Sequence, residues 1–383
     1  MKRKIKIIFL HWRLVCGGAE SALLDLIRLL DKNIFDITVL AMYGGGEWVD
    51  RFRDTGVTVI DSYSCVTPSK NPLKKVRNLF KSNQIKFILS HGGKGLLKAC
   101  TSDDFDLVVS YHLNPGLMAA GFSDTAKTIR YIHGDAETNP ALQQQIQTLR
   151  QYHYCYDKII CVSECAKKSF IKYYGKSENV VACHNPIDSS KILILAAECP
   201  ALRITGDYIC AVGRLVEAKG YLRLVRIFAS LIDQGINTKL LIIGEGPERE
   251  SIEKNIKEYH MEDHIILTGY LPNPYPYMKN ARFCVCSSYT EGLHIASMES
   301  LLLGVPVVSI FPTVAELLGN ELCGIVADSE ASFADALKKM LTDHELYKTA
   351  KAAAVRRSKA FYSKSMVQKI TSEYIDTLTN SYE

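Results

Sequence analysis

Two glutamates eight residues apart, Glu291 and Glu299, stand in the run Thr290-Glu-Gly-Leu-His-Ile-Ala-Ser-Met-Glu-Ser300. A β-like run from Arg282 to Ser288 leads into the loop that carries Glu291, and the helix-forming stretch Ile295 to Leu303 carries Glu299 and ends at Gly304. On that helix Ile295, Ala296, Leu302 and Leu303 fall on the same stripe as Glu299. A carboxylate is thus placed on an apolar face, where burial without a partner costs about 2 to 7 kcal/mol even for a neutral polar group. Two readings follow: the carboxylate is met by hydroxyls, amides or a cation of a ligand, or it is satisfied by a nearby backbone amide.

Three glycine-bearing turns hold the other candidate groups. Cys16-Gly-Gly-Ala-Glu20 opens an apolar helix expected over Ser21 to Leu30, and glycines there let backbone amides approach an anion. Gly213-Arg-Leu-Val-Glu-Ala-Lys-Gly220 places Arg214 and Lys219 between a strand end and a helix start. Gly244-Glu-Gly-Pro-Glu-Arg-Glu250 is a third turn, with Pro247 suited to a first helical turn. Arg249 occupies the place of a third glycine, so a dinucleotide fingerprint is not supported. Each turn alone is an ordinary tight turn; two cations with several glycine-opened helix starts point to a diphosphate site without a metal. Asp104-Phe-Asp106 opens a strand and is read as no metal site, so neither metal nor cofactor is expected.

The elements that position these loops alternate from end to end. Strand-like runs are expected at Ile5 to Leu10, Ile37 to Tyr43, Val57 to Ser62, Phe87 to Leu89, Leu107 to Tyr111, Thr128 to His133, Lys158 to Val162 and Val180 to Cys183. A second series follows at Tyr208 to Val212, Leu240 to Ile243, Ile265 to Thr268, Phe283 to Cys286, Val305 to Ile310 and Gly324 to Ala327. Helical patterns fill most gaps, and Glu198 to Asp207 breaks the rhythm. The pattern predicts an α/β protein of two Rossmann-like parallel-sheet domains, with ligands beyond the carboxyl ends of the strands.

Composition agrees: 383 residues, 47% hydrophobic and 23% charged, suit about two globular domains. The basic N-terminus reads as a first buried strand rather than a signal peptide, and twelve cysteines without paired zinc spacing read as core thiols of a reducing compartment. Through Ser190 there are 25 Lys and Arg against 18 Asp and Glu, and 21 against 23 thereafter, so the net +5 divides as +7 and −2. Eight cations fall between Lys70 and Lys98 with no acid from Asp61 to Asp103. Within that patch Pro72 to Asn83 is amphipathic, with Leu73, Val76, Leu79 and Phe80 set against Lys74, Lys75, Arg77 and Lys81. Such a helix either rests on an anionic lipid surface or covers a sheet; nucleic acid is disfavoured because no aromatic residues interleave with the cations.

Taken in order, Gly17-Gly18-Ala19-Glu20, His133-Gly134, Val212-Gly-Arg-Leu215 with Lys219-Gly220, Gly244-Glu-Gly-Pro247, the Glu-x7-Glu pair and Leu303-Gly-Val-Pro-Val-Val308 resemble the retaining GT-B glycosyltransferases of the family 4 type over nearly the whole chain. The resemblance implies two domains facing across a cleft: an acceptor-side domain over residues 1–200, a nucleotide-sugar domain over 207–357, and a helix over 358–383 crossing back to the first. It implies a nucleoside-diphosphate sugar donor, a UDP-sugar first among them, and transfer of a hexose with retention of anomeric configuration and without a metal. By the same carry-over Arg214 and Lys219 neutralise the diphosphate, the amides of Gly17 and Gly18 reach it from the other domain, and the turn at Gly244 and Gly246 lines the donor. Glu299 takes the ribose hydroxyls; Glu291 with the amides of Gly292 and Leu293 takes the sugar, Glu316 lies near the sugar or phosphates, and His133 lies near sugar and acceptor.

His294 stands where the family often has Pro, and Phe311-Pro-Thr-Val-Ala-Glu316 lacks the paired glycines common there; both departures bear on which sugar is accepted. The basic patch favours a glycan or lipid-linked acceptor in bacterial surface polysaccharide assembly, and a cytoplasmic protein peripheral on the inner face of the membrane. The alternatives are a catalytically silent sugar-nucleotide-binding partner of another transferase, and another GT-B enzyme such as a sugar-nucleotide epimerase.

Overall fold

A computed structural model of the chain describes residues 3–42, 46–61, 71–73, 75–76, 79–80, 83–84, 87, 96–112, 126–175 and 178–379. Its strands are β1 (Ile5–His11), β2 (Phe35–Ala41), β3 (Thr58–Asp61), β4 (Leu107–His112), β5 (Lys127–Ile132), β6 (Lys158–Cys161), β7 (Val180–Ala182), β8 (Tyr208–Val212), β9 (Lys239–Ile243), β10 (Ile265–Gly269), β11 (Cys284–Cys286), β12 (Val307–Ser309) and β13 (Gly324–Val326). They form two all-parallel sheets, ordered β3-β2-β1-β4-β5-β6-β7 and β10-β9-β8-β11-β12-β13. Helices on the faces bury both sides of the strands, so Ile7, Ile8, Phe9 and Leu10 are all at 0% exposure and β1 reads as a continuous apolar run.

The chain falls into two compact units, one of Met1–Pro186 with Met366–Glu383 and one of Ile187–Ser365. The sequence break at 198–207 lies inside the second unit, after the helix Ser189–Leu195. That helix belongs there because Asn273 Nδ2 donates to the Leu195 carbonyl at 2.9 Å and the Tyr277 hydroxyl accepts from Leu202 N at 2.7 Å. In the same unit Leu224, Val225, Phe228 and Leu231 of the helix Tyr221–Asp233 pack on Ile209 and Ala211 of β8 and Leu240 and Ile242 of β9.

The last helix, Ser363–Thr379, starts in the second unit and finishes in the first. Ser363 Oγ donates to the Ile187 carbonyl at 2.8 Å. Further on, Tyr374 packs edge-on against Phe35 and shares a 2.8 Å hydroxyl bond with Tyr131, while Glu373 pairs with the buried Lys158 at 2.7 Å. Among the described residues no helix is long and apolar enough to cross a membrane.

One expected strand is corrected. Phe87 is helical and 62% exposed, and residues 88–89 lie outside the described residues. Three apolar residues are too few for periodicity to separate strand from helix. The first helix also begins earlier than expected, at Gly18.

His153 is fully buried between Phe170 and Tyr174, with no hydrogen-bond partner at either ring nitrogen. Burial, then the charge of Arg130, lowers its pKa from 6.5 to about 3. A depressed histidine binds a proton in the unfolded chain before it does so in the folded one, so stability is full above pH 6.5 and lost as pH falls below it. Urea unfolding of wild type is expected to lose about 1.4 kcal/mol per pH unit through this group between pH 6 and 4. His153→Phe should flatten the profile by that amount; an unchanged slope would contradict the assignment.

Candidate functional site

A parallel sheet whose strand order reverses leaves two neighbouring strands with loops running to opposite sides, and ligands bind in the gap. In the second sheet that point lies between β8 and β11, and the loops after them carry Lys219 and Glu291. Lys219 Nζ pairs with Glu291 Oε1 at 2.5 Å, and the same oxygen accepts from Ser288 Oγ at 2.8 Å. The two side chains are 24% and 13% exposed, so the pair is screened by protein yet open to a small ligand.

Backbone contacts hold this pair in register. Ser287 Oγ donates to the Lys219 carbonyl at 2.8 Å, and Tyr289 N to the Ala218 carbonyl at 2.7 Å. Arg223, buried and lying 3.9 Å over the Tyr289 ring, donates to the carbonyls of Ser287 and Ser288. Gly220 adopts φ +64°, and a Cβ there would stand 2.2 Å from the Ser287 carbonyl oxygen, so only glycine lets the two loops meet. Arg214 is exposed, with no ion-pair partner among the described residues.

Glu299 is half-buried, and Tyr275 donates its hydroxyl to Glu299 Oε1 at 3.0 Å. The carboxylate therefore has a phenol partner that its sequence neighbourhood does not reveal. Gly292 and Leu293 are buried, and Glu316 is half-buried in the first turn of Val314–Leu318. His294 caps the helix Ile295–Leu302: its Nδ1 accepts from Ser297 N at 3.2 Å and lies 2.7 Å from Ser297 Oγ. The residue at the unusual position thus supplies the helix cap.

Gly244 and Gly246 have a direct structural explanation. A Cβ on Gly244 would lie 1.8 Å from the Gly213 carbonyl oxygen, and one on Gly246 would lie 2.3 Å from that of Leu215. Gly213 N donates to Ile243 O at 3.0 Å, and Leu215 N to Glu245 O at 2.9 Å. The loops after β8 and β9 are thus zipped backbone to backbone, and the glycines permit it.

In the first sheet the order reverses between β1 and β4. Gly17 caps the helix Gly18–Leu29, and Glu20 folds back so that a Cβ on Gly17 would meet its Oε2 at 2.3 Å. At the strand ends three histidines gather: His11 and His112 have ring centroids 5.1 Å apart, and His112 and His133 5.9 Å. His133 Nε2 lies 2.8 Å from the Tyr111 carbonyl oxygen. A carbonyl only accepts, so Nε2 carries the proton and Nδ1 is left as an acceptor. Burial lowers all three pKa values, to about 3 for His11, and the neighbouring histidines deepen the shift of His133. These imidazoles are neutral near pH 7. His11 is fully buried and neither of its nitrogens has a hydrogen-bond partner, a cost of about 1–3 kcal/mol. Sequence reading missed His11, His112, Tyr275, Ser288 and Arg223; the placement of His11 and His112 at the ends of two strands was the available signal.

Of the basic patch, Lys75 is helical and exposed, while Lys74, Arg77 and Lys81 lie outside the described residues. Asp106 is engaged structurally, pairing with Arg3 and accepting from Lys6 N, each at 2.8 Å.

Two family profiles divide the chain. Glycosyltransferase Family 4 matches residues 16–191, and Glycosyl transferases group 1 matches residues 201–357. The chain belongs to the family 4 type glycosyltransferases. It is 35% identical over 182 residues to N-acetylgalactosamine-N,N'-diacetylbacillosaminyl-diphospho-undecaprenol 4-alpha-N-acetylgalactosaminyltransferase of Campylobacter jejuni, a match covering 46% of this chain and 48% of that protein. It is 25% identical over 209 residues to the capsular polysaccharide biosynthesis glycosyltransferase CapM of Staphylococcus aureus, covering 51% and 55%. The chain thus spans about half the length of each of these two relatives. Anabaena Alr3699/HepE, solved with UDP and glucose, superposes with a TM-score of 0.72 over 97% of this chain and 99% of that one, at 17% identity. The fold of this glycosyltransferase is GT-B, with two parallel sheets flanked by helices.

The zipped loops carry a stability prediction for this transferase. Gly244→Ala must adopt φ near +154° and place a methyl against the Gly213 carbonyl, whereas Gly206 at φ +82° has open space around its Cβ position. Urea unfolding should show Gly206→Ala costing about 1 kcal/mol and Gly244→Ala at least about 2 kcal/mol more. Equal losses would mean that the loop contact adds nothing beyond backbone strain.

Proposed function

We propose that this glycosyltransferase moves a hexose-type sugar from a nucleoside-diphosphate sugar to a glycan or lipid-linked acceptor in bacterial surface polysaccharide assembly, with retention and without a metal on the phosphates. The observation that carries the reading is the Lys219–Glu291 pair at the β8–β11 reversal, with exposed Arg214 on the same loop as Lys219. Breaking a glycosyl-phosphate bond puts negative charge on the diphosphate and positive charge on the sugar. A lysine, an arginine and a carboxylate fixed by backbone contacts are suited to that separation, and one such preorganised group is worth about 10²–10³ in rate.

Glu299, oriented by the Tyr275 hydroxyl, is the carboxylate that accepts from vicinal ribose hydroxyls. Glu291 and the amides of Gly292 and Leu293 take sugar hydroxyls; Glu316 approaches the sugar or phosphates. The helix start at Gly17 and Gly18 offers amides to a phosphate oxygen. His133, protonated on Nε2, presents Nδ1 to a hydroxyl of sugar or acceptor. The UDP and glucose held by Alr3699/HepE make a UDP-sugar the first donor to try. A silent partner would be expected to lack one of Arg214, Lys219, Glu291 and Glu299; all four are present.

The test is a panel of UDP-, GDP-, ADP- and dTDP-sugars, scored by thermal shift and nucleoside-diphosphate release for wild type and Glu299→Ala. One donor should stabilise wild type and be slowly hydrolysed, with both effects lost in the variant and retained in EDTA. NMR of the product should show the donor's anomeric configuration. Inversion would sink the retaining mechanism, and no response to any donor would favour the silent-partner reading.

The lipid-surface reading of the basic patch gains support from exposure. Leu73, Val76, Leu79 and Phe80 are helical and 82%, 57%, 65% and 75% exposed, so among the described residues no sheet packs on this apolar stripe. Beside eight cations, a stripe at this spacing suits an anionic bilayer surface. Wild type should float with phosphatidylglycerol vesicles, and the Lys74→Glu, Lys75→Glu, Arg77→Glu, Lys81→Glu variant should not. Equal flotation of both would remove the membrane from the reading.

A further inference from the structure

We propose that His11, Glu20 and His112 form a binding site for a divalent transition-metal cation of the zinc class in the first unit, independent of the donor-binding groups of the second. The ligand atoms of the three residues lie within 4.8 Å of one another. His11 Nε2 stands 3.9 Å from Glu20 Oε1, too far for a hydrogen bond. Two zinc bonds of about 2 Å span such a gap, and tetrahedral ligands stand roughly 3.3 Å apart, so a contraction of about 1 Å completes the geometry.

Three features show that this grouping is built. The pairing of β1 with β4 runs in step from Ile7 with Leu107 to Leu10 with Ser110, then shifts by one residue so that His11 stands opposite His112. Without that shift the partner of His11 would be Tyr111, and the two imidazoles would not meet at the strand ends. The second feature is His11 itself, at 0% exposure with no well-aligned hydrogen bond at either ring nitrogen. The third is the placement of Glu20, whose carboxylate is folded back on the helix start with Oε2 against Gly17 and Oε1 on the side of His11.

The donor set selects the ligand. Two imidazoles and one carboxylate suit a borderline cation such as zinc or cobalt(II). Three protein ligands leave a fourth position for water or an oxygen of a bound molecule. His112 is exposed, which gives the ion an entry path and gives its ring room to rotate inward. A bound cation would tie the ends of β1 and β4 to the first turn of Gly18–Leu29 and fix the Gly17–Gly18 backbone.

The experiment titrates the full chain, freed of metal by chelation, with cobalt(II) and reads the visible d–d bands. Expected are one equivalent bound with the intense bands of a four-coordinate ion, displacement by zinc, and a rise in melting temperature on binding. His112→Ala and Glu20→Gln should each weaken binding by at least about tenfold, since even residues behind the ligands typically account for 10- to 100-fold. The melting temperature of His112→Ala without metal, measured beside wild type, separates loss of a ligand from loss of packing against His11 and His133. Only the weak bands of a six-coordinate ion, or affinity unchanged in His112→Ala, would overturn the proposal. The readout needs no donor, so its outcome is separate from that of the transferase assay.

Discussion

The chemistry of both units depends on the reversal of strand order in a parallel sheet. Strands β1 and β4 in one sheet, and β8 and β11 in the other, are the neighbours between which the strand order reverses, so their carboxyl ends stand beside one another. His11 and His112 end one such pair of strands, and Lys219 and Glu291 lie on the loops after the other. In neither case does a helix or strand interior supply the reactive group. The regular elements determine where strand ends fall, and the loops determine which atoms are presented there.

In the second unit the loops must also be held against their own charge. Lys219 and Glu291 are drawn together, and a ligand has to share or displace that ion pair. If the loops were flexible, the pair would collapse wherever the side chains reached. Instead Gly220 brings the Glu217–Lys219 turn against Ser287, Arg223 grips two successive carbonyls, and the β8 and β9 loops are zipped through Gly244 and Gly246. Arg223 does this at the cost of an Nε without a partner. A buried arginine spent on backbone carbonyls makes sense where the loop geometry, rather than the arginine's own ion pairing, is what must be kept.

Much of the fold was legible because parallel strands buried on both faces are short apolar runs bounded by turn residues, and the βα rhythm admits few topologies. Phe87 shows the limit: with no neighbouring periodicity, three apolar residues fit either element. Glu299 could be singled out because a carboxylate on an apolar helical stripe needs a partner. Its partner Tyr275 could not, since it comes from another helix 24 residues away and the contact exists only after packing. Gly244 and Gly246 could be seen as a turn, but that they face Gly213 and Leu215 is a fact of tertiary structure. The one-residue shift that sets His11 opposite His112 has no signature in either strand.

The two sites also differ in their electrostatics in a way the charge count by halves does not show. The first half of the chain carries +7, yet the cluster at its strand ends is made of neutral histidines and one carboxylate, because eight of its cations lie in the 70–98 segment. The second half carries −2, yet its strand-end loop presents Arg214 and Lys219. Net charge governs long-range attraction to a surface, whereas the groups within a few ångströms decide which ion is held. On that basis Arg214 and Lys219 make the strand-end loop of the second unit locally cationic. The neutral imidazoles of the first are suited to hydroxyl groups or a metal ion.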